Sequence, residues 1–235
     1  LAYQYSRAAP LGLRPERNVN IMFCSIECNR SIPIIHDTSS ASFRKDLEDW
    51  GALTSNLLVW DYVIQFENLV SPFPNLRVLQ PNIQYFADQG VTAMFQQGNR
   101  ETGGEWASLR SYMIAKLLWD PRQDVDSLMQ DFLNGYYGPA GPHLRTYIDL
   151  MHDALEESGK DLWIFGGPAD HREGYLSWDM IDRYNRIFDR AEQSVRDDAD
   201  YTDRVRQARL QLMYAQLELS RIGAKTPRGL FDFKE

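Results

Sequence analysis

The sequence predicts an α/β fold, the C-terminal half of a TIM-type (β/α) barrel with four parallel strands, followed by an α-helical region. Three observations carry this expectation. Short apolar runs without polar alternation (Val19–Phe23, Leu57–Val59, Val91–Phe95) fit strands buried on both faces, as in a parallel sheet. Segments of helical spacing lie between such runs, which implies parallel crossovers. From Glu105 onward the pattern is helical throughout. A complete barrel has eight strands, so four fit half of one. The chain then divides at residues 1–105, a partial barrel, and 106–235, helices packed on it.

Taken in order, Leu1–Tyr5 reads as the first strand, and Ser6–Asn18 as a loop carrying Pro10 and Pro15, short for a parallel crossover. Val19–Ser25 is the second strand. Phe43–Ser55 has helical spacing at Phe43, Leu47, Trp50 and Leu53. Leu57–Trp60 is the third strand. Ser71-Pro-Phe-Pro74 breaks the chain and predicts a surface loop. Pro81–Gln89 is a short helix stopped by Gly90, and Val91–Phe95 the fourth strand. Ala107–Trp119 is a helix with a wide apolar face, closed by Pro121. Asp124–Tyr136 is the next helix. Gly138-Pro-Ala-Gly-Pro142 is a hinge into a helix ending at Gly159. Asp161–Tyr175 is an irregular connector rich in Gly, Trp and Phe. Ser177–Arg196, N-capped by Ser177, and Thr202–Ile222 form a helical pair, and the tail after Gly223 frays.

The chain has 235 residues, enough to bury a sizeable core, and a net charge of −8. That balance argues against nucleic acid, and no basic patch offsets it. Arg204, Arg206 and Arg209 lie among acids on a helix and read as a solvated face. Cys24 and Cys28 lack a second Cys/His pair, so they read as buried thiols rather than a zinc site. No metal ligand set and no cofactor motif is found. No signal peptide or run of 18 apolar residues occurs, hence no membrane span is expected. The strand-like opening without a leader predicts a fragment whose preceding half belongs to a longer parent.

The strand ends carry the chemistry. Glu27 follows the second strand, with Asn29 and Arg30 beside it. Ligands of parallel α/β folds bind beyond the strand carboxyl ends, and glycoside hydrolysis needs two flanking carboxylates. Pairing with Arg30 for structure alone is the competing reading of Glu27. Trp60 and Tyr62 offer flat faces for a sugar ring, and Asp61 between them accepts hydrogen bonds or caps the next segment. Gln96, Gln97 and Asn99 present amides suited to hydroxyl-rich ligands, and Gly98 permits close backbone approach. Glu101 and Glu105 can turn back to the pocket, or Glu105 can stabilise the start of the next helix. Tyr3 and Tyr5 share one face of the first strand by alternation. His36-Asp37 reads as hydrogen bonding, and His143, His152 and His171 lack metal spacing. No nucleophile elbow, phosphate loop or dinucleotide fingerprint is present, which leaves carboxylate chemistry.

Leu1-Ala-Tyr-Gln-Tyr5, Cys24-Ser-Ile-Glu-Cys28, Trp60-Asp-Tyr62, Pro72-Phe-Pro-Asn75, Gln80-Pro-Asn-Ile83, Gln97-Gly-Asn99, Leu117-Leu-Trp-Asp-Pro121 and Phe132-Leu-Asn-Gly-Tyr-Tyr-Gly-Pro-Ala140 follow one another in order. By this set the chain resembles the domain-of-unknown-function 4838 family of Bacteroides-like bacteria, which overlaps glycoside hydrolase family 163. The resemblance covers residues 1–155. It implies a TIM-barrel-type hydrolase followed by helices, endo-β-N-acetylglucosaminidase action on complex N-glycans, and export to the periplasm or cell surface. One position departs from the family pattern, which carries Glu where this chain has Gln96. An amide is neither nucleophile nor proton donor.

The expected function is therefore a fragment of a carbohydrate-active glycoside hydrolase acting on N-acetylglucosamine-containing glycans. Glu27 is its acid or base, Asp61 orients the sugar, and Gln96, Gln97 and Asn99 hold hydroxyls. Trp60 and Tyr62 form the platform. The alternatives are a non-catalytic glycan-binding module, favoured by Gln96, and a helical interaction scaffold formed by the later half.

Overall fold

A computed structural model of the chain describes residues 1–99 and 103–221. Three parallel strands, β1 (Ile21–Cys24), β2 (Leu57–Tyr62) and β3 (Ala93–Gln97), form a sheet in the order β1-β2-β3. Helices α1 (Ala41–Leu53) and α2 (Leu76–Asp88) make the two crossovers. Five helices follow: α3 (Ala107–Trp119), α4 (Val125–Tyr137), α5 (Gly141–Ser158), α6 (Trp178–Ser194) and α7 (Ala199–Arg221). The architecture is mixed α/β, with three strands among the described residues rather than the four expected.

The missing strand is Leu1–Tyr5. Ala2 makes a single parallel bridge to Phe23, donating its N–H to the Met22 carbonyl (2.8 Å) and accepting from Cys24 N–H (3.1 Å). The ladder stops there because Gln4 takes a left-handed φ of 47° and opens a 3-10 turn over Gln4–Ser6. Alternation then no longer applies: Tyr3 packs partly against the core, whereas Tyr5 is 98% exposed.

The sheet buries one face thoroughly. Phe23 and Val59 meet Phe43 and Leu47 of α1 and Phe86 of α2, all under 2% exposed. Each such side chain contributes roughly 1.5–3 kcal/mol against exposure. Phe43, Leu47 and Trp50 stand one or two turns apart, which sets the buried side of α1. α2 begins five residues before Pro81, since Leu76, Leu79, Ile83 and Phe86 form one buried stripe through the proline. Its first N–H is capped from afar: His152 of α5 accepts from Leu76 N through Nε2 (3.0 Å), and its Nδ1 faces the Ile148 carbonyl (2.8 Å). Ser71–Pro74, expected at the surface, is buried together with Asn75. Its carbonyl at Phe73 and the Asn75 side chain are both satisfied by Arg110, and Asn75 Nδ2 donates to the Val63 carbonyl (3.0 Å).

The helices follow the sequence closely. Asp124 caps α4 by accepting from Ser127 N (2.6 Å). Gly138 closes α4 with φ of 54°, and the Tyr201 ring of α7 lies where a Cβ would stand. Gly159 ends α5 in the left-handed conformation. Ser177 precedes α6 as its N-cap residue but makes no side-chain cap bond. Arg209 of α7 holds Asp189 and Glu192 of α6 at 2.9 and 3.0 Å. A second hydrophobic core runs from Cys24 and Tyr62 at the strand ends through α3 to α7. The frayed tail expected after Gly223 lies outside the described residues.

The connector between α5 and α6 is bonded to the carboxyl rim of the sheet. The Leu162 carbonyl accepts from Arg30 N (2.8 Å), and the Ile164 carbonyl from Phe66 N (2.7 Å). Tyr175 donates its hydroxyl to the Pro72 carbonyl (3.2 Å).

Candidate functional site

The pleat decides which strand-end groups share a face. Register pairs Trp60 with Phe95, Asp61 with Gln96 and Tyr62 with Gln97. Trp60, Tyr62, Phe95 and Gln97 therefore project from one face, and Asp61 and Gln96 from the other. The first face is open at Phe95 and partly at Trp60, whereas Tyr62, expected as a platform ring, is 5% exposed and belongs to the second core. Phe95 is 50% exposed although it belongs to a parallel strand. An aromatic ladder crosses this face: Phe95 meets Trp60 edge-on (5.0 Å), Trp60 stacks on Tyr62 (6.0 Å, 15°), and Tyr62 meets Phe66 (5.5 Å). Trp60 Nε1 donates to Gln97 Oε1 (2.9 Å) and fixes both groups. A cleft of about 690 Å³ opens here, lined by Trp60, Phe66, Phe95, Gln96, Gln97 and Asn99 among others. A second cleft of about 490 Å³ lies at the loop after β1, where Glu27 and Ile26 face Trp163 and Phe165. Clefts of this size accept small-molecule ligands.

Glu27 is the exposed carboxylate of the second cleft. It is ion-paired with Arg7, which also holds Asp46 at 2.7 Å. Its expected neighbours lead elsewhere. Arg30 turns into the core, 1% exposed, donating to the carbonyls of Tyr62 (Nε, 2.6 Å) and Ser25 (Nη2, 2.6 Å). It ties the ends of β1 and β2 together. Asn29 is fully buried; its Nδ2 donates to Asp161 (2.7 Å), and its Oδ1 accepts from Leu162 N (3.0 Å). Asp61 is 2% exposed, accepting from Ser25 Oγ and Tyr62 N, with Arg30 Nη2 at 3.8 Å. It belongs to the buried face and does not reach the clefts.

A second buried arginine organises the end of β3. Arg110 binds the Glu105 carboxylate directly and donates to Asn99 Oδ1 (2.9 Å) and Asn75 Oδ1 (3.2 Å). Burial pushes the Glu105 carboxyl above its usual range, and the adjacent guanidinium pulls it back. Glu105 is thus a structural anchor. Asn99 donates Nδ2 to the Leu69 carbonyl (3.0 Å), so its amide is held at the cleft wall. Gln96 lines the cleft, while its Oε1 is buried with no hydrogen-bond partner among the described residues. Glu101 lies outside the described residues.

Burial raises the Tyr62 hydroxyl above its ordinary value, and the Cys24 thiol beside it adds to the effect. Burial also raises Cys24, and pushes Cys28 up to about 11, so both stay thiols at neutral pH. Among the described residues no group of three or more His, Cys, Asp or Glu is placed to hold a metal ion. Among them, too, no helix is long and apolar enough to cross a membrane.

Sequence reasoning overlooked Trp163, Phe165 and Phe66. The sequence Leu162-Trp163-Ile164-Phe165 is apolar at all four positions, so nothing in it marked the second and fourth as the exposed ones that the structure shows.

Sheet, crossovers and rim define a mixed α/β protein with three parallel strands, several helices and clefts at the strand carboxyl ends. The chain belongs to the family described as Domain of unknown function (DUF4838), which matches residues 1–149. No curated protein and no solved structure matches the chain.

Proposed function

We propose that this chain is part of a carbohydrate-active glycoside hydrolase, its sheet belonging to the C-terminal half of a TIM-type barrel. The ligand is an N-acetylglucosamine-containing glycan such as an N-glycan. The observation that carries this reading is the Phe95–Trp60 pair, backed by the buried Tyr62 ring and flanked by the fixed amides of Gln97 and Asn99. Aromatic faces take the C–H side of a sugar ring, and amides serve its hydroxyls as donor and acceptor together. The open sheet face supports the half-barrel reading, because parallel sheets are covered on both faces. The other half of the barrel, in the parent protein, faces it across the ligand cleft, and the parent works in the periplasm or at the cell surface.

Glu27 is the catalytic carboxylate in this scheme. It is exposed at the second cleft and ion-paired with Arg7. Asp61 acts through the backbone it holds rather than on the sugar. The test is the full-length parent with released N-glycans, comparing wild type with Glu27→Gln. Undiminished turnover in the variant removes Glu27 from the mechanism.

A second reading, glycan binding without hydrolysis, is favoured by Gln96 and by the burial of Asp61. Gln96→Glu in the full-length parent separates the two. Gained hydrolysis marks a decayed enzyme, whereas glycan binding with no turnover in either form marks a lectin-like module.

A further inference from the structure

The connector segment Leu162–Phe165 holds its side chains in an unusual way. Leu162 and Ile164 are about 1% exposed, while the alternate residues Trp163 and Phe165 are 41% and 57% exposed. Exposed large apolar groups need no account when scattered. Here they are neighbours on a fixed frame. Backbone N–H groups of Arg30 and Phe66 bond the segment from two different loops (2.8 and 2.7 Å). Gly166 N donates to Glu67 Oε1 (3.1 Å), and Gln65 Nε2 donates to the Gly166 carbonyl. The frame thus holds two rings against solvent across a cleft from Ile26 and Glu27.

The rings also continue the ladder already described. Phe165 meets Phe66 edge-on (5.8 Å, 84°), and Phe66 meets Tyr62 (5.5 Å). Ring contacts therefore link Phe95 on β3 to Phe165 beside the loop after β1, passing through the buried Tyr62. We propose that Trp163 and Phe165 form a second ring-stacking subsite, linked to the Trp60 platform through the ring contacts of Tyr62 and Phe66, which takes a further sugar unit of an oligosaccharide. This rests on the carbohydrate reading of the Trp60 cleft. The second cleft offers what a sugar ring needs: apolar walls for its C–H face, and Glu27 with Gln4 at the edge to accept from or donate to hydroxyls. A single ring fills only one of the two clefts, so affinity should depend on chain length.

The full-length parent protein is titrated calorimetrically with N-acetylglucosamine and with its β-1,4-linked dimer and tetramer. Wild type, Trp60→Ala and Trp163→Ala are compared, with Trp119→Ala as the control for loss of an exposed tryptophan, since Trp119 is 90% exposed at the far end of α3. Wild-type affinity is expected to rise with oligomer length. Trp163→Ala should weaken the tetramer about tenfold, the worth of one ring contact, and leave the monosaccharide unchanged. Trp60→Ala should weaken all three ligands. If Trp163→Ala binds the tetramer like wild type while Trp60→Ala does not, the second subsite is overturned and the carbohydrate reading stands. If wild type binds none of the saccharides, both fall.

Discussion

Acid should weaken this fold through one histidine. His152 is 5% exposed, caps α2 by accepting from Leu76 N, and has burial pushing its pKa down from the ordinary 6.5 to about 4. Protonation would remove the acceptor and place a charge in the core beneath α2. Because the folded pKa is the lower one, the unfolded chain binds more protons between the two values. Stability from this group is full above about pH 6.5 and declines as the pH falls toward 4. Integrating between those values gives a loss of roughly 2 kcal/mol at about pH 5. For a chain of this length that is about 4–8 °C in Tm. The assay is urea unfolding at pH 5 and pH 7.5 for wild type and His152→Gln. Glutamine keeps an acceptor and a donor but does not titrate. His171, also pushed to about 4 by burial, is common to both proteins and cancels. The variant should start less stable at pH 7.5 and lose about 2 kcal/mol less than wild type on acidification. Equal losses would refute the argument, as would a His152 titration midpoint near 6.5 in the folded protein by NMR.

Four further outcomes follow from the packing. Arg110→Met leaves Glu105 buried without its partner and should cost about 3–5 kcal/mol in urea unfolding; a cost under about 1 kcal/mol would mean the pair is dispensable. Gly138→Ala combines φ of 54° with a Cβ 2.6 Å from the Tyr201 ring, and should destabilise by about 1–3 kcal/mol. Gly135→Ala, in open space inside α4, should instead stabilise by about 0.5–1 kcal/mol, and the two Tm shifts moving the same way would contradict the geometry. Cys24 and Cys28, buried and held as thiols, should resist a thiol reagent at neutral pH until the chain unfolds; stoichiometric labelling of the native protein counts against their burial.

What could be read from the sequence was local. α3 was bounded to the residue, and the ends of α4 and α5 followed from Asp124 and Gly159, because capping chemistry lies within a few residues of the end it sets. Strands β1 to β3 were visible as apolar runs. The failures were non-local. Leu1–Tyr5 has strand composition, yet a positive φ at Gln4 ends pairing after Ala2. Ser71–Pro74 has the composition of a surface loop, and is buried together with Asn75 because Arg110, 35 residues on from Asn75, supplies their hydrogen bonds. The start of α2 rests on His152, 76 residues beyond Leu76. The site shows the same division. Residue types at the strand ends were legible, but Trp60 and Asp61 are neighbours on opposite faces, and nothing near them announced which face was open. Arg30 drew Asp61 and the loop after β1 inward, so Asn29 became a strut rather than a ligand group.

The bonds from the β1 and β2 loops to Leu162 and Ile164 bear on how this protein can be dissected. The matched region ends at residue 149, yet excision there would strip away His152, the strut beneath Arg30 and Phe66, and the hydroxyl anchoring Pro72. A cut that keeps these bonds therefore falls beyond Tyr175, which Tyr184 of α6 in turn secures by donating to its carbonyl (3.0 Å).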